Sequence, residues 1–253
     1  MSVRALAAAL ADARRAHVAL ASAPWAGELA NASDAYAVQD EVARVLGWFG
    51  DAPPRHWKSG GASRDAVLTH APLPPAGVLA SPAQMSDWPL HSRAVEPEIA
   101  LRLKADVTPQ DAMRLDHHAV DALIDAMTVA IEVVDSRWVE GLNAPALLRL
   151  ADLQSHAALV LGEWQPYARR DWRAQRCVLQ IGSAPAIERV GTHSLGDPAW
   201  LLPLWLRHAT RHGATVTAGT IVTTGTWAGA VPVRSGDEVR VSFDGIGEAS
   251  ERF

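Results

Sequence analysis

VEPEIALRL, Val95 to Leu103, sets two glutamates one residue apart at the mouth of an apolar run. EIALRL reads as a β-strand. In a strand, residues i and i+2 share a face, so Glu96 and Glu98 project together with Cβ atoms about 6 to 7 Å apart. That is a pincer for a cation. Pro97 between them cannot donate to a ladder, so the stretch predicts a sheet edge or a bulge, where side chains are often aimed at a site. Alone, such a pair more often marks the solvated face of a strand. The reading therefore turns on a third acid.

Glu132 supplies it. It stands in TVAIEVVDSRW (128–138), a second strand rich in β-branched residues, with Ile131 and Val133 on either side. A strand of that composition is covered on both faces, and a lone buried carboxylate costs several kcal/mol unless it is paired or bound to a metal. If Glu132 faces Glu96 and Glu98, three negative charges converge. A hard divalent cation such as Mg²⁺ is the simplest compensation, with about three octahedral positions left for water or substrate. Asp135 and Arg137 next door read as an ordinary ion pair.

Outward from these strands, the first fifty residues read as two helices. Leu6, Leu10, Ala13 and Leu20 fall near helical spacing, and so do Val38, Val42, Val45 and Leu46 after a Ser33/Asp34 start, with Gly47 and Gly50 as the stop. From 51 to 89, Pro, Gly, Ser and Ala predict loops with short strands. Thr108 and Pro109 open a helix expected to run to about Met127. A further helix is expected near 146–153, leading into the apolar run ALVLG. Asp197 and Pro198 open another that runs to Arg211, with Pro203 as a kink. The tail reads as strands and turns, with clean alternation in EVRVSF (238–243). Strands dominate one end and no regular βαβ series appears, so the fold class is α+β: a helical segment over 1–50 and one β-rich domain over 51–253 that carries the site.

Composition narrows the function. A net charge of −5 without a Lys/Arg block gives no footprint for nucleic acid. No apolar run reaches the length of a membrane span, since Arg4, Asp12, Arg14 and Arg15 interrupt the Ala-rich N-terminus. The one cysteine, Cys177, excludes an internal disulfide and a thiolate metal cluster, which fits a reducing cytoplasm. The ten tryptophans read as core or interface anchors, with oligomer contacts in view.

The ordered set WKSG (57–60), VEPEIAL (95–101), IEVVDSRW (131–138), ADLQSHAALVLG (151–162) and AGTIVTTGTWAGAVPVRSGDEVRVSFDGIGE (218–248) resembles the 2-keto-4-pentenoate hydratase and 4-oxalocrotonate decarboxylase group of the fumarylacetoacetate hydrolase superfamily, over roughly residues 35–253. The resemblance implies a mixed, rolled β-sheet, a bound Mg²⁺ or Mn²⁺, and a homo-oligomer that associates with a partner decarboxylase or hydratase. It implies Glu96, Glu98 and Glu132 as metal ligands, Lys58 as the catalytic lysine beside the substrate, and Ser155 and Thr226 at the substrate's carboxylate end. Burial near a metal is expected to lower the Lys58 pKa toward acid/base use. Three positions depart from the pattern. The loop acid of relatives is replaced by PLPPAG (72–77), Leu153 stands where an Asn is usual, and His156 where a small residue is usual. Asp65 and His70 are the candidates for a substitute acid/base. The activity implied is a metal-dependent lyase on a 2-oxo or 2-hydroxydienoic acid from aromatic breakdown: hydratase first, decarboxylase or C–C hydrolase second. A non-catalytic, carboxylate-binding partner subunit is the alternative of another class.

Overall fold

The structure, a computed structural model, describes residues 2–253. Its helices are α1 (Val3–Ala16), α2 (Ala32–Leu46), α3 (Pro109–Arg114), α4 (Ala146–Ala151) and α5 (Leu202–Ala209). Its first strands are β1 (His56–Gly60), β2 (Thr69–Pro72), β3 (Val78–Ala80), β4 (Ala83–Gln84), β5 (Ala94–Leu103), β6 (Ile124–Val134) and β7 (His156–Leu161). There follow β8 (Gln165–Pro166), β9 (Arg176–Ile181), β10 (Ile187–Val190), β11 (Ile221–Thr223), β12 (Val231–Pro232), β13 (Glu238–Phe243) and β14 (Gly247–Arg252).

The strands form two mixed sheets. The larger runs β2-β1-β11-β5-β6-β7-β3, with β12 added to β5 and β8 to β6, and the smaller runs β10-β9-β13-β14-β4. One face of β5–β6, carrying Ile99, Leu101, Val129, Ile131 and Val133, packs with Val239, Val241 and Phe243 of the smaller sheet in the main core. The sheets approach so closely at Gly162 that an added Cβ would lie 2.4 Å from the Glu248 carbonyl oxygen. The opposite face of β5–β6 is thereby left free to hold polar groups. The N-terminal helices pack through Leu6, Leu10, Val38 and Val42 onto Trp138 and Leu148, forming a second core beside the sheet.

Several expected elements shift, each for a local reason. The second helix begins at Ala32, because the Asn31 side chain accepts from the Asp34 amide at 3.2 Å and takes the cap ahead of Ser33. The helix opened by Thr108 has its capping box but ends at Arg114. The Asp116 side chain then accepts from the amides of His118 and Ala119, turning the chain, and Met127 belongs to β6. Pro203 does not kink a long helix. It sits in the first turn of α5, where its missing N–H costs nothing, after a 3₁₀ turn over Pro198–Leu201. The strands β9 and β10, which the sequence reading left unassigned, hold the smaller sheet's far edge.

Five of the ten tryptophans (57, 138, 172, 205 and 227) are core residues. Cys177 is buried, and burial pushes its thiol up to about 12, which leaves it unreactive. No helix among the described residues is long and apolar enough to cross a membrane.

Candidate metal centre

The register of β5 on β6 pairs Glu96 directly with Glu132 and Glu98 with Ala130. Directly opposed residues share a face, as do residues two apart on one strand, so all three glutamates rise from the same side of the sheet. One oxygen from each lies within 4.8 Å of the others. Among the described residues this is the one group of three or more His, Cys, Asp or Glu side chains so arranged.

Pro97 sits in this ladder without a bulge. Its outer side falls between β11, which pairs Ala100–Arg102, and β12, which pairs Ala94 and Val95. Its carbonyl accepts from the Trp227 amide at 2.9 Å, so the missing N–H faces a gap where none is required. The proline thus marks a local edge inside a sheet.

Lys58 reaches the same face from β1. The register runs Lys58 to Thr223 to Ala100 across β1, β11 and β5, and Ala100 shares its face with Glu98. The Lys58 ammonium donates to Glu132 Oε1 and to the Gln154 carbonyl at 3.3 Å. His156, fully buried, places Nδ1 3.0 Å from the same Glu132 oxygen. An ionised carboxylate only accepts, so Nδ1 carries the proton. Glu98 Oε2 accepts from the Thr223 hydroxyl and from the Gly225 amide at 3.0 Å. Gly225 has φ +103°, a conformation side chains disfavour, and this bend after β11 aims its amide at the carboxylate.

These bonds leave a pattern. Glu132 has Oε1 doubly anchored and Oε2 buried with no partner. Glu98 has Oε2 anchored and Oε1 free, and Glu96 makes no hydrogen bond among the described residues. At least one oxygen of each glutamate is therefore available to a cation, which is what a carboxylate-bound divalent metal requires.

The electrostatics agree. Burial, together with repulsion from Glu132, pushes Glu96 up to about 7. Burial, with repulsion from both other glutamates, pushes Glu98 up to about 8. Glu132 is also strongly desolvated, but Lys58 and His156 outweigh that and hold it below the usual carboxylate range. For Lys58, burial pulls downward and the three glutamates more than reverse it, so its pKa lies above the ordinary lysine value. Without a cation the acid trio keeps the lysine charged; the lowering expected for Lys58 is one that holds beside a bound metal.

A cavity of about 370 Å³ opens on this face, and Lys58, Glu96, Glu98, Thr69, Gln154 and Thr226 are among its walls. A larger groove of about 440 Å³, lined by Phe49, Pro53 and Trp57 among others, contains no acid trio, so chemistry and not size selects the site. Of the residues singled out in the sequence, Lys58, Glu96, Glu98 and Thr226 border the cavity, and Glu132, fully buried, is reached through Lys58, which donates to it. Ser155, Asp65 and His70 are not brought to it. Ser155 is fully buried with its hydroxyl unpartnered, and Asp65 is exposed to solvent. His70 is bound through Nδ1 to the Ser59 hydroxyl at 2.8 Å, and burial drives it down to about 3, so it is neutral.

The sequence reading missed Gln154, Thr223 and the role of His156. Leu153, Gln154 and Ser155 all adopt left-handed φ values between 53° and 60°. Consecutive non-glycine residues in that region are strained and cluster at functional sites. The turn presents the Gln154 carbonyl to Lys58 and its side-chain amide to Thr69 at 2.6 Å. It is held from behind by Asp152, which is clamped by Arg14 at 2.8 Å and Arg137 at 2.7 Å. The earlier pairing of Asp135 with Arg137 is weak at 3.9 Å; the stronger partner is Asp152.

The family model described as fumarylacetoacetate (FAA) hydrolase C-terminal matches residues 54–253. The 2-keto-4-pentenoate hydratase 1 of Dechloromonas aromatica (strain RCB) is 29% identical over 244 residues, 89% of this chain and 87% of its own. A 4-oxalocrotonate decarboxylase of a Pseudomonas species is 28% identical over 172 residues, 64% of this chain and 60% of its own. The solved structure of 4-oxalocrotonate decarboxylase from Pseudomonas putida G7, complexed with magnesium and adipate, matches with a TM-score of 0.82 at 23% identity, covering 99% of this chain and 97% of that one. At that identity the likeness is one of fold, and it bears out the mixed, rolled sheet.

Proposed function

The chain belongs to the fumarylacetoacetate hydrolase C-terminal family, and from that premise we propose that it is a divalent-metal-dependent lyase acting on a small 2-oxo or 2-hydroxydienoic acid, with hydration of a 2-hydroxypenta-2,4-dienoate-type substrate as its reaction. The observation that carries this reading is the single face on which Glu96, Glu98 and Glu132 each keep at least one oxygen free beside a charged lysine. The hydratase relative, matched over 89% of this chain, supports hydration ahead of decarboxylation. The decarboxylase relative, matched over 64%, keeps decarboxylation as the second reading.

Glu96, Glu98 and Glu132 would hold Mg²⁺ or Mn²⁺. When bound, the ion supplies Lewis-acid polarisation of the 2-oxo group and neutralises charge that develops as the neighbouring carbon gains or loses a proton. The rest falls to the chain's own groups. Lys58 has three N–H donors, of which Glu132 and the Gln154 carbonyl take two, so one remains to hold or deliver a proton at the substrate. Glu132 and His156 fix the lysine's position from beneath. Thr226 and the Gln154–Thr69 pair form the polar wall that orients the carboxylate end. The loop acid of the resemblance has no counterpart here, because the PLPPAG stretch forms the end of β2 and a 3₁₀ turn, and Asp65 and His70 lie elsewhere. Among the described lining residues, Lys58 is thus the group suited to proton transfer once the glutamates are committed to a cation.

A homo-oligomer in a reducing cytoplasm, in contact with a partner decarboxylase or hydratase, fits the same reading. The test is direct. Purified protein with Mg²⁺ and 2-hydroxypenta-2,4-dienoate or 2-hydroxymuconate is followed by loss of the dienol absorbance. Metal-dependent loss supports the lyase, whereas binding without turnover would make the chain a carboxylate-binding partner subunit.

A further inference from the structure

We infer that His193, a buried residue that the proposed chemistry does not use, is the positioning residue for Glu98 and acts on it through the Thr224–Gly225 peptide. The inference rests on the reading of Glu96, Glu98 and Glu132 as a cation site and adds the group that keeps one of the three aimed. His193 stands in the loop between β10 and the 3₁₀ turn over Pro198–Leu201, with 5% of its surface exposed. Its Nε2 lies 2.8 Å from the Thr224 carbonyl oxygen. A carbonyl only accepts, so Nε2 carries the ring proton. Nδ1 is buried with no partner, and burial drives the imidazole down to about 4, so the ring is neutral and its one N–H goes to this carbonyl.

The Thr224 carbonyl and the Gly225 amide belong to one planar peptide unit, in which they point in opposite directions. The Gly225 amide donates to Glu98 Oε2 at 3.0 Å. A single rigid plane therefore lies between imidazole and carboxylate, its oxygen held by the first and its N–H aimed at the second. Hydrogen bonds in such a chain polarise one another, so a carbonyl that accepts from His193 makes the Gly225 amide the stronger donor.

That plane needs holding. Gly225 sits at φ +103°, and a glycine enters and leaves such a conformation freely, so its own backbone does not stop the peptide from turning its N–H away from Glu98. The other ties of the turn run around this peptide. The Thr224 hydroxyl donates to the Ile99 carbonyl at 2.8 Å, the Trp227 amide to the Pro97 carbonyl at 2.9 Å, and the Thr192 hydroxyl to the Trp227 carbonyl at 2.5 Å. They fasten the turn to β5 on both sides of Glu98, and His193 fixes the peptide between them.

The experiment reads that peptide directly. Thr224–Gly225 is the one Thr-Gly pair in the sequence, so the full chain labelled with ¹³C-carbonyl threonine and ¹⁵N glycine gives a single carbonyl–amide correlation by nuclear magnetic resonance. His193→Gln can bring an amide N–H to where Nε2–H stands; His193→Asn, equally polar but one carbon shorter, cannot. In His193→Asn the amide proton of this correlation moves upfield. Mn²⁺ affinity falls by roughly threefold to tenfold, less than for a direct partner of a metal ligand because the bond acts through a peptide. His193→Gln keeps both near wild type. Unchanged Mn²⁺ affinity in His193→Asn overturns the inference, whether or not the peak moves. So does an equal loss in both variants, which is what altered packing alone would give. Long-range ¹⁵N spectra of the wild-type ring showing the proton on Nδ1 overturn it without any variant. A wild-type chain that binds no Mn²⁺ is a separate failure, since it removes the cation site itself and this inference with it.

Discussion

Glu96 and Glu132 stand directly opposite each other across the β5–β6 ladder. Like charges at that position repel, and backbone pairing holds them there regardless. Glu96→Gln therefore stabilises the cation-free protein at pH 8, by about 1 kcal/mol given the partial exposure of the side chain. The same change weakens or abolishes the rise in Tm on adding Mg²⁺. Thermal unfolding with and without the ion checks both halves.

The pH dependence of stability follows from the raised glutamates. Unfolded, Glu96 and Glu98 titrate near the ordinary 4.5; folded, near about 7 and about 8. Between those values the folded protein holds more protons, so stability is greatest below about pH 4.5 on this account and falls as pH rises through 7 and 8. Glu251 adds to the decline, since burial alone raises it to about 8 and neither of its oxygens has a partner. A bound cation compensates Glu96 and Glu98 but not Glu251. The Mg²⁺-induced increase in Tm should therefore grow from pH 5.5 to 8.5, measured as paired melts. An increment that is constant or shrinks would contradict the assignment.

Lys58→Met removes the proton-carrying ammonium and leaves Glu132 with His156 alone. The expected loss in kcat is roughly 10² to 10⁴-fold, the usual worth of a positioned acid or base. Metal binding persists, because Glu132 Oε2 is not the oxygen the lysine occupies. Steady-state rates alongside a metal titration separate the two effects.

Thr223 orients Glu98 through one hydroxyl. Thr223→Val keeps the shape of the strand and deletes that donor, leaving only the Gly225 amide on Glu98 Oε2. A hydrogen bond to a charged group is worth about 1.5 to 3 kcal/mol, so metal affinity should drop by roughly tenfold or more. Calorimetry on the variant reads this directly.

Much of the site was legible because strand geometry is periodic. With EIALRL (98–103) and TVAIEVVDSRW (128–138) read as strands, the i, i+2 spacing puts Glu96 and Glu98 on one face, and the apolar neighbours of Glu132 mark it as buried. What sequence could not supply was the register that sets Glu132 opposite Glu96, and it could not place Lys58 beside them across β11. The helix expected to reach Met127 failed because Asp116 offers a local turn that periodicity does not weigh. Gln154 escaped notice for a sharper reason: its importance comes from three successive left-handed residues, and no residue in Leu153–Gln154–Ser155 advertises that conformation. The resemblance points to Ser155 instead, one residue away, and the turn buries it. His70 and Asp65 were plausible by residue type alone. Their placement depends on the β1–β2 pairing, which turns His70 toward Ser59 and Tyr36 and away from the cavity.

The central claim is that three glutamates on adjacent strands hold one divalent cation. Electron paramagnetic resonance titration of the chelator-stripped full chain with Mn²⁺ measures it most directly. The account predicts one tightly bound ion per chain, displaced by excess Mg²⁺ and lost in Glu132→Gln. Absence of a bound ion in the wild-type protein, or equal binding in Glu132→Gln, would contradict it.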